Sequence, residues 1–219
     1  MKILLTGASG YIGRRLIPVL LENGHEIVCA VRDKSRFDIG KYNDKTITVI
    51  EADLLANHTI QNIPNDIDVA YYLVHSMSGR EDFAVLEKRS ATAFVERIAQ
   101  TNCKQIIYLT GIINDNDLSK HLLSRKAVEE ILGSGNVPLT ALRAGIIVGS
   151  GSASFEIIRD LVEKLPVMVA PKWLQTRCQP IAIRNVIEFL SGVILREETY
   201  NRHFDIYGPD ILTYKEMLM

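Results

Sequence analysis

The chain has 219 residues, 47% of them hydrophobic and 23% charged, with 25 basic against 26 acidic side chains and a net charge of −1. That length fits one α/β domain with at most a small appended subdomain, and the composition fits an ordered chain with a full core. The charge balance argues against a nucleic-acid or anionic-membrane surface, and no apolar run approaches the ~18 residues of a membrane span. Met1 leads straight into an apolar run, so no secretory signal is read. Cys29, Cys103 and Cys178 are odd in number and far apart. They read as reduced structural side chains with no metal role, which fits a cytoplasmic location.

Apolar runs predict strands at Lys2–Thr6, Glu26–Val31, Thr46–Ile50, Val69–Val74, Gln105–Thr110 and Leu139–Arg143. They are nearly continuous rather than alternating, as in strands buried on both faces. Helical patterns lie between them. Ile12, Leu16, Val19 and Leu20 share a face of the first helix. Phe83, Leu86, Ser90, Phe94 and Ile98 share one in a longer helix, and a third runs from about Leu118 to Leu132 before Gly133. Pro18 removes a hydrogen bond inside the first helix and predicts a mild kink. The alternation predicts an α/β fold, a Rossmann-type doubly wound parallel sheet with a small C-terminal substrate-side subdomain. Residues 1–145 read as the dinucleotide-binding core and 146–219 as a C-terminal segment of the same domain.

After Arg143 the pattern loosens. Gly149–Ser154 reads as a loop, and Phe155–Leu165 as a helix ended by Pro166. A short polar strand is expected around Arg177–Ile181, then a helix capped by Asn185 and running to about Leu195, then a strand at His203–Ile206. Thr213–Met219 reads as a helix just begun, as in a fragment of a longer protein.

The chemistry is concentrated in Leu5-Thr6-Gly7-Ala8-Ser9-Gly10-Tyr11-Ile12-Gly13. Gly7 permits a tight turn off the strand, Gly10 lets the backbone approach a pyrophosphate, and Gly13 lets the helix pack near the strand. The helix start then offers free N–H groups and a positive dipole end to phosphates. The glycines follow the first strand and open an amphipathic helix, which is the context a dinucleotide site requires. The second strand ends at Val31, which cannot accept from a ribose 2′-OH. Arg32, Ser35 and Arg36 follow and can clamp a 2′-phosphate through charge-assisted bonds. NADP is therefore the expected cofactor. Asp33 keeps NAD open, since it can accept from the 2′-OH.

This run resembles the Thr-Gly-x-x-Gly-x-x-Gly fingerprint of the extended and atypical short-chain dehydrogenase/reductases. Asp53-Leu54 resembles the pair that borders the adenine, and Leu142-Arg143-Ala144-Gly145 resembles the family's Leu-Arg-Pro-Gly, with alanine for proline. Tyr71-Tyr72-Leu73-Val74-His75-Ser76-Met77 and Gly149-Ser150-Gly151-Ser152-Ala153-Ser154-Phe155 are similar to the NmrA-like group, in particular to bacterial NAD(P)H-binding proteins with a C-terminal domain of unknown function. The resemblance implies cofactor contacts from Gly7, Ser9, Gly10, Tyr11, Ile12, Gly13, Arg32, Ser35, Arg36, Asp53, Leu54, Val74, His75, Thr110 and Lys126.

The family's Tyr-x-x-x-Lys is incomplete. Lys126 matches the lysine and Thr110 the serine or threonine, but Leu122 stands where the tyrosine belongs. The remaining candidates for catalysis are Lys126, Thr110 and His75, the last at the C-terminal end of an apolar strand where ligands bind in such sheets. His121 is a weaker one. Trp173, Arg177 and Gln179 are candidates for the substrate side, and Met168 with Trp173 suits either a core wall or a homodimer surface. The expected function is an oxidoreductase acting on a small carbonyl, quinone or alkene. The alternatives are a dinucleotide-sensing regulator without turnover and a sugar-nucleotide epimerase or dehydratase.

Overall fold

Seven parallel strands form the sheet of this computed structural model, which describes residues 1–42, 46–74, 83–113, 120–152, 155–156, 159–160 and 172–218. They are β1 (Lys2–Thr6), β2 (Glu26–Val31), β3 (Ile47–Glu51), β4 (Val69–Tyr72), β5 (Gln105–Gly111), β6 (Leu139–Ala144) and β10 (Arg202–Ile206). Their order is β3-β2-β1-β4-β5-β6-β10, and each neighbouring pair is parallel. The chain winds outward from β1 in both directions, so the crevice between β1 and β4 is a topological switch point.

Every central strand is buried on both faces. Ile3 and Leu5 face Leu16, Ile17 and Leu20 of α1 (Tyr11–Glu22) and Val186, Ile187 and Leu190 of α5 (Ile183–Gly192). Leu4, Ala70 and Tyr108 face Phe94 and Ile98 of α3 (Phe83–Ile98) and Val128 and Leu132 of α4 (Lys120–Gly133). Burying each large apolar side chain contributes about 1.5–3 kcal/mol. Tyr72 stands edge-on to Phe94, with centroids 5.0 Å apart, and to Tyr108 at 5.9 Å. The shorter elements include α2 (Asn57–Ile60), β7 (Ile147–Val148) beside β9 (Ile181–Ala182), β8 (Arg177–Cys178) antiparallel to β11 (Leu212–Thr213), and α6 (Tyr214–Leu218). No helix among the described residues is long and apolar enough to cross a membrane.

Several expectations shift. The buried stripe of α1 is Gly13, Leu16, Ile17 and Leu20, with Ile12 and Val19 half-buried at its edges. The helix continues through Pro18, which is exposed, so water can reach the carbonyl the proline leaves unbonded. The fourth strand ends at Tyr72, two residues early. The Thr6 hydroxyl donates to Tyr71 O (2.8 Å) and accepts from Leu73 N–H (3.2 Å), drawing the chain out of the ladder. The strand expected around Arg177–Ile181 is two short ones, interrupted at Pro180, which has no N–H to donate. Asn185 is no cap: Ala182 holds that position without a side-chain bond, and Asn185 donates from inside the helix to Glu188 (3.0 Å). That helix stops at Gly192 because Leu195 turns with φ +50 and its N–H donates to the buried Gln105 Oε1 (2.6 Å). The segment after residue 146 supplies β10 and α5, so it is woven into both the sheet and one helical layer.

Candidate dinucleotide site

The first strand delivers the chain into a turn that only glycine fits. Gly7 has φ +70, and a β-carbon there would lie 2.5 Å from Leu73 O. Gly10 N–H closes the turn onto Gly7 O at 2.9 Å. At Gly13 a β-carbon would lie 2.5 Å from Gly7 O and 2.8 Å from Ala8 Cα, so this glycine is the contact between helix and turn. Gly10 differs: its φ of −77 suits any residue, and a β-carbon would meet only Gly7 O, at 3.1 Å. Nothing in the packing demands glycine there, while the open side is where the backbone N–H groups of Tyr11, Ile12 and Gly13 emerge. An α-helix leaves those groups without intrahelical partners. Gly10 offers no side-chain cap and the first turn holds no acid, so the helix start is free to take an anion. The cradle fits a pyrophosphate.

The ribose end lies past β2. Val31 is buried, and Arg32, Asp33, Ser35 and Arg36 are exposed around a short 3₁₀ turn, Lys34–Arg36. Asp33 Oδ1 accepts from both Ser35 N–H (2.9 Å) and the Ser35 hydroxyl (2.6 Å). Those bonds, with the Arg36 charge, hold the Asp33 carboxyl below its ordinary value. Asp53 follows β3 and is itself tied down: Oδ1 accepts from Leu55 N–H (2.9 Å), and its backbone N–H donates to the buried Thr59 hydroxyl (2.8 Å). Leu54 points into the core at 6% exposure, so only its backbone remains for an adenine contact.

At the C-terminal ends of β4, β5 and β6, Thr110 is buried on the face toward α4, as is Tyr108 two residues before it. Burial pushes the Tyr108 hydroxyl up to about 12, partly opposed by Thr110 and the Arg125 charge. Leu122 sits against this edge: a β-carbon on Gly111 would lie 3.5 Å from Leu122 Cδ2 and 3.4 Å from Arg125 Nη1. Lys126 is half-buried one turn further along α4. Val74 is half-buried just past β4. His75 lies outside the described residues, as do Met168 and the start expected for α4 at Leu118. His121 lies in the first turn of α4 and Trp173 in a 3₁₀ turn, and their side chains lie outside the described residues too. Arg177 is exposed, and its charge acts on Glu216.

Sequence reasoning passed over three contacts here. Arg143 grips Glu129 of α4 with both forks, Nε to Oε2 at 3.0 Å and Nη2 to Oε1 at 2.7 Å, and so fixes that helix against β6. A β-carbon on Gly145 would lie 2.2 Å from Gln179 O, so the motif glycine exists for the approach of the C-terminal segment. Arg15 donates to Ser150 O at 2.6 Å across 135 residues of chain. The first two left a sequence signal, the arginine and the glycine of the Leu-Arg-Ala-Gly segment. Among the described residues no group of His, Cys, Asp or Glu is placed to hold a metal, and Cys29, Cys103 and Cys178 are free thiols.

Known proteins match this picture. The chain is 24% identical over 157 residues to an isoflavone reductase homolog of Zea mays, covering 68% of this chain and 50% of that one. It is 21% identical over 230 residues to a chloroplastic divinyl chlorophyllide a 8-vinyl-reductase of Arabidopsis thaliana, covering 95% of this chain and 54% of that one. The chain spans about half the length of the curated relatives it matches. Among solved structures, UDP-glucuronic acid 4-epimerase of Bacillus cereus with NAD superposes with a TM-score of 0.78 at 18% identity, covering 98% of this chain and 80% of that one. UDP-glucose 4-epimerase of Thermotoga maritima gives a TM-score of 0.78 at 14% identity, covering 100% and 80%. These likenesses establish the fold. A family profile for NAD(P)H binding matches residues 7–154, from the first loop glycine to the far side of β7, and the chain belongs to that NAD(P)H-binding family.

Proposed function

We propose that this protein is an NADPH-dependent reductase whose acceptor stabilises its own negative charge, such as a quinone or a conjugated carbonyl or alkene. The observation that carries this is Leu122 packed at the end of β5. That is the place from which the resembled enzymes protonate a substrate oxygen, and a leucine side chain has no proton to give. The bound cofactor supplies the hydride. The chain's own part is to hold the pyrophosphate on the first turn of α1, to orient the ring against the edge of β4 and β5, and to exclude water there. A simple ketone would lack the factor of about 10²–10⁴ that a positioned general acid contributes. The names of the maize and Arabidopsis relatives, an isoflavone reductase homolog and a vinyl-reductase, agree with a reductive role. Oxidation of NADPH by purified protein, followed with one quinone, one enone and one simple ketone, tests the proposal. Turnover of the first two above the ketone is expected; brisk ketone reduction overturns it.

NADPH is preferred over NADH because Asp33 is engaged by Ser35 while Arg32 stands exposed beside it. Losing a charge-assisted bond of about 1.5–3 kcal/mol weakens NADPH by roughly tenfold or more. Arg32→Ala should therefore narrow the gap between the two dissociation constants, and equal affinities in the unmodified protein overturn the assignment. A second reading has one observation behind it. An auxiliary protein of Staphylococcus aureus, GraX, is 27% identical over 126 residues, covering 55% of this chain and 40% of that one. Tight NADPH binding with silence on every acceptor favours a dinucleotide-responsive regulator.

A further inference from the structure

We propose that Arg15 is a positioning residue that couples the dinucleotide site to the C-terminal segment by clamping the turn Gly149–Gly151 onto Tyr11. The proposal rests on the dinucleotide reading of the glycine loop and concerns what binding there does elsewhere.

Tyr11 is the first residue of α1, and its backbone N–H is one of those offered to the pyrophosphate. Its ring carries the clamp. The Arg15 guanidinium lies 3.9 Å from the ring centroid, within cation–π reach. The same guanidinium donates to Ser150 O at 2.6 Å and to Tyr11 O at 3.4 Å. The turn also approaches the edge of the ring. A β-carbon on Gly149 would lie 2.7 Å from the Tyr11 hydroxyl and 2.5 Å from Ile183 Cγ2 of α5. Gly151 has φ +80, and its β-carbon position lies 3.7 Å from Tyr11 Cε2. Gly149 is thus required by Ile183 and the Tyr11 hydroxyl together, while Gly151 is favoured by its positive φ and lies in van der Waals contact with the ring. The Tyr11 hydroxyl is buried with no hydrogen-bond partner among the described residues, so apposition rather than a bond holds it there.

The turn is a unit. Ser152 N–H donates to Gly149 O (2.9 Å), Ser152 Oγ to Ile147 O (3.1 Å), and Gly151 N–H to Glu156 Oε1 (3.0 Å). It connects β7, paired to β9, with the chain that follows. A phosphate seated on the first turn of α1 fixes the backbone of Tyr11 and thereby its ring. Docking Gly149–Gly151 on a fixed ring loses less conformational freedom than docking on a mobile one. By reciprocity the docked turn must raise dinucleotide affinity by the same factor. Cofactor binding and docking of the turn therefore favour one another.

Hydrogen exchange of the full chain with and without NADPH tests this, read at Gly7–Gly13 and at Gly151 and Ser152. NADPH is expected to slow both groups, the second by five- to hundredfold. In Arg15→Leu the slowing at Gly151 and Ser152 is lost, that at Gly7–Gly13 persists, and the NADPH dissociation constant rises by a similar factor. Arg15→Lys keeps the charge over the ring and should retain part of the effect. Gly149→Ala pushes the turn off Tyr11 without touching Arg15 and should reproduce the leucine result. A merely structural arginine would alter apo exchange without changing the response to NADPH. Equal slowing at Gly151 and Ser152 in both proteins, or slowing confined to Gly7–Gly13 in the unmodified one, overturns the proposal. Exchange at Gly7–Gly13 indifferent to NADPH overturns the dinucleotide reading itself, and this proposal with it.

Discussion

Gly10 and Gly13 occupy one loop for different reasons, and alanine at each should separate cofactor contact from packing. At Gly13 the new β-carbon would stand 2.5 Å from Gly7 O and 2.9 Å from Ala8 O, both backbone atoms that cannot swing aside. Overpacking of this kind costs about 1–3 kcal/mol. For a chain of this size each kcal/mol lowers the melting temperature by roughly 2–4 °C, so Gly13→Ala should melt about 2–12 °C lower. At Gly10 the β-carbon meets one atom at 3.1 Å, and the backbone is extended. Replacing glycine by alanine at a helix N-cap costs from a few tenths to about 1 kcal/mol, a fall of at most about 4 °C. The same β-carbon stands where a pyrophosphate must come within hydrogen-bond reach of Tyr11 and Ile12 N–H. Losing one charge-assisted bond of about 1.5–3 kcal/mol weakens binding roughly 10- to 150-fold. Thermal melting and calorimetric titration with NADPH on both variants measure the two effects. A Gly10→Ala protein with unchanged affinity would place the pyrophosphate elsewhere, and one that melts as low as Gly13→Ala would make Gly10 a packing glycine.

Three further outcomes follow from the same geometry. Leu122→Tyr restores a phenol at the edge of β5 and should raise ketone reduction by up to about 10²–10⁴ in steady-state assays; no gain would mean that Leu122 does not face the nicotinamide. Glu129→Ala strips the Arg143 guanidinium of its carboxylate in a pair whose side chains are 16% and 13% exposed. The loss should be about 2–3 kcal/mol, below the 3–5 of a fully buried pair, and melting of Glu129→Ala against the double leucine variant checks it, since the double should recover most of the deficit. Asp33 has a depressed folded-state value, so the turn it caps is held above the ordinary aspartate value of about 3.9 and released as pH falls through the lower folded value. A carboxyl titration by NMR should show a midpoint below that reference, rising toward it in Ser35→Ala.

The sheet was legible because its strands are buried on both faces. Ile3, Leu4 and Leu5 are all fully buried, and such runs leave no ambiguity of face for periodicity to resolve. The glycine loop was legible because its turn needs a positive φ at Gly7 and a missing β-carbon at Gly13, constraints that one residue type satisfies. Side chains that contradict their own polarity were not. Arg97 lies on the buried face of α3 at 6% exposure, bonded to Ile63 O and Asn65 Oδ1, and an apolar stripe never includes an arginine. Leu54 resembles the residue that borders an adenine, and no local spacing shows that its side chain is buried in the core. The contact of Arg15 with Ser150 depends on α5 bringing Ile183 behind Gly149, which no local spacing records.

The two ends of the sheet use their polar groups differently. At the N-terminal ends of the strands the polar groups bind one another. Lys2 N–H donates to Asp68 (2.9 Å), Lys104 pairs with Asp68 (3.6 Å), and fully buried Gln105 joins Thr140 (2.8 Å), Val193 O (3.0 Å) and Leu195 N–H (2.6 Å). At the C-terminal ends the chain instead leaves helix N–H groups open, exposes Arg32 and brings three glycine-lined approaches together at Gly7, Gly111 and Gly145. Parallel strands aim every strand-to-helix turn at that edge, which is where ligands bind in such sheets. Leu122 stands at this edge on a helix that Glu129 and Arg143 fix two turns further along, so its side chain can change without consequence for the sheet.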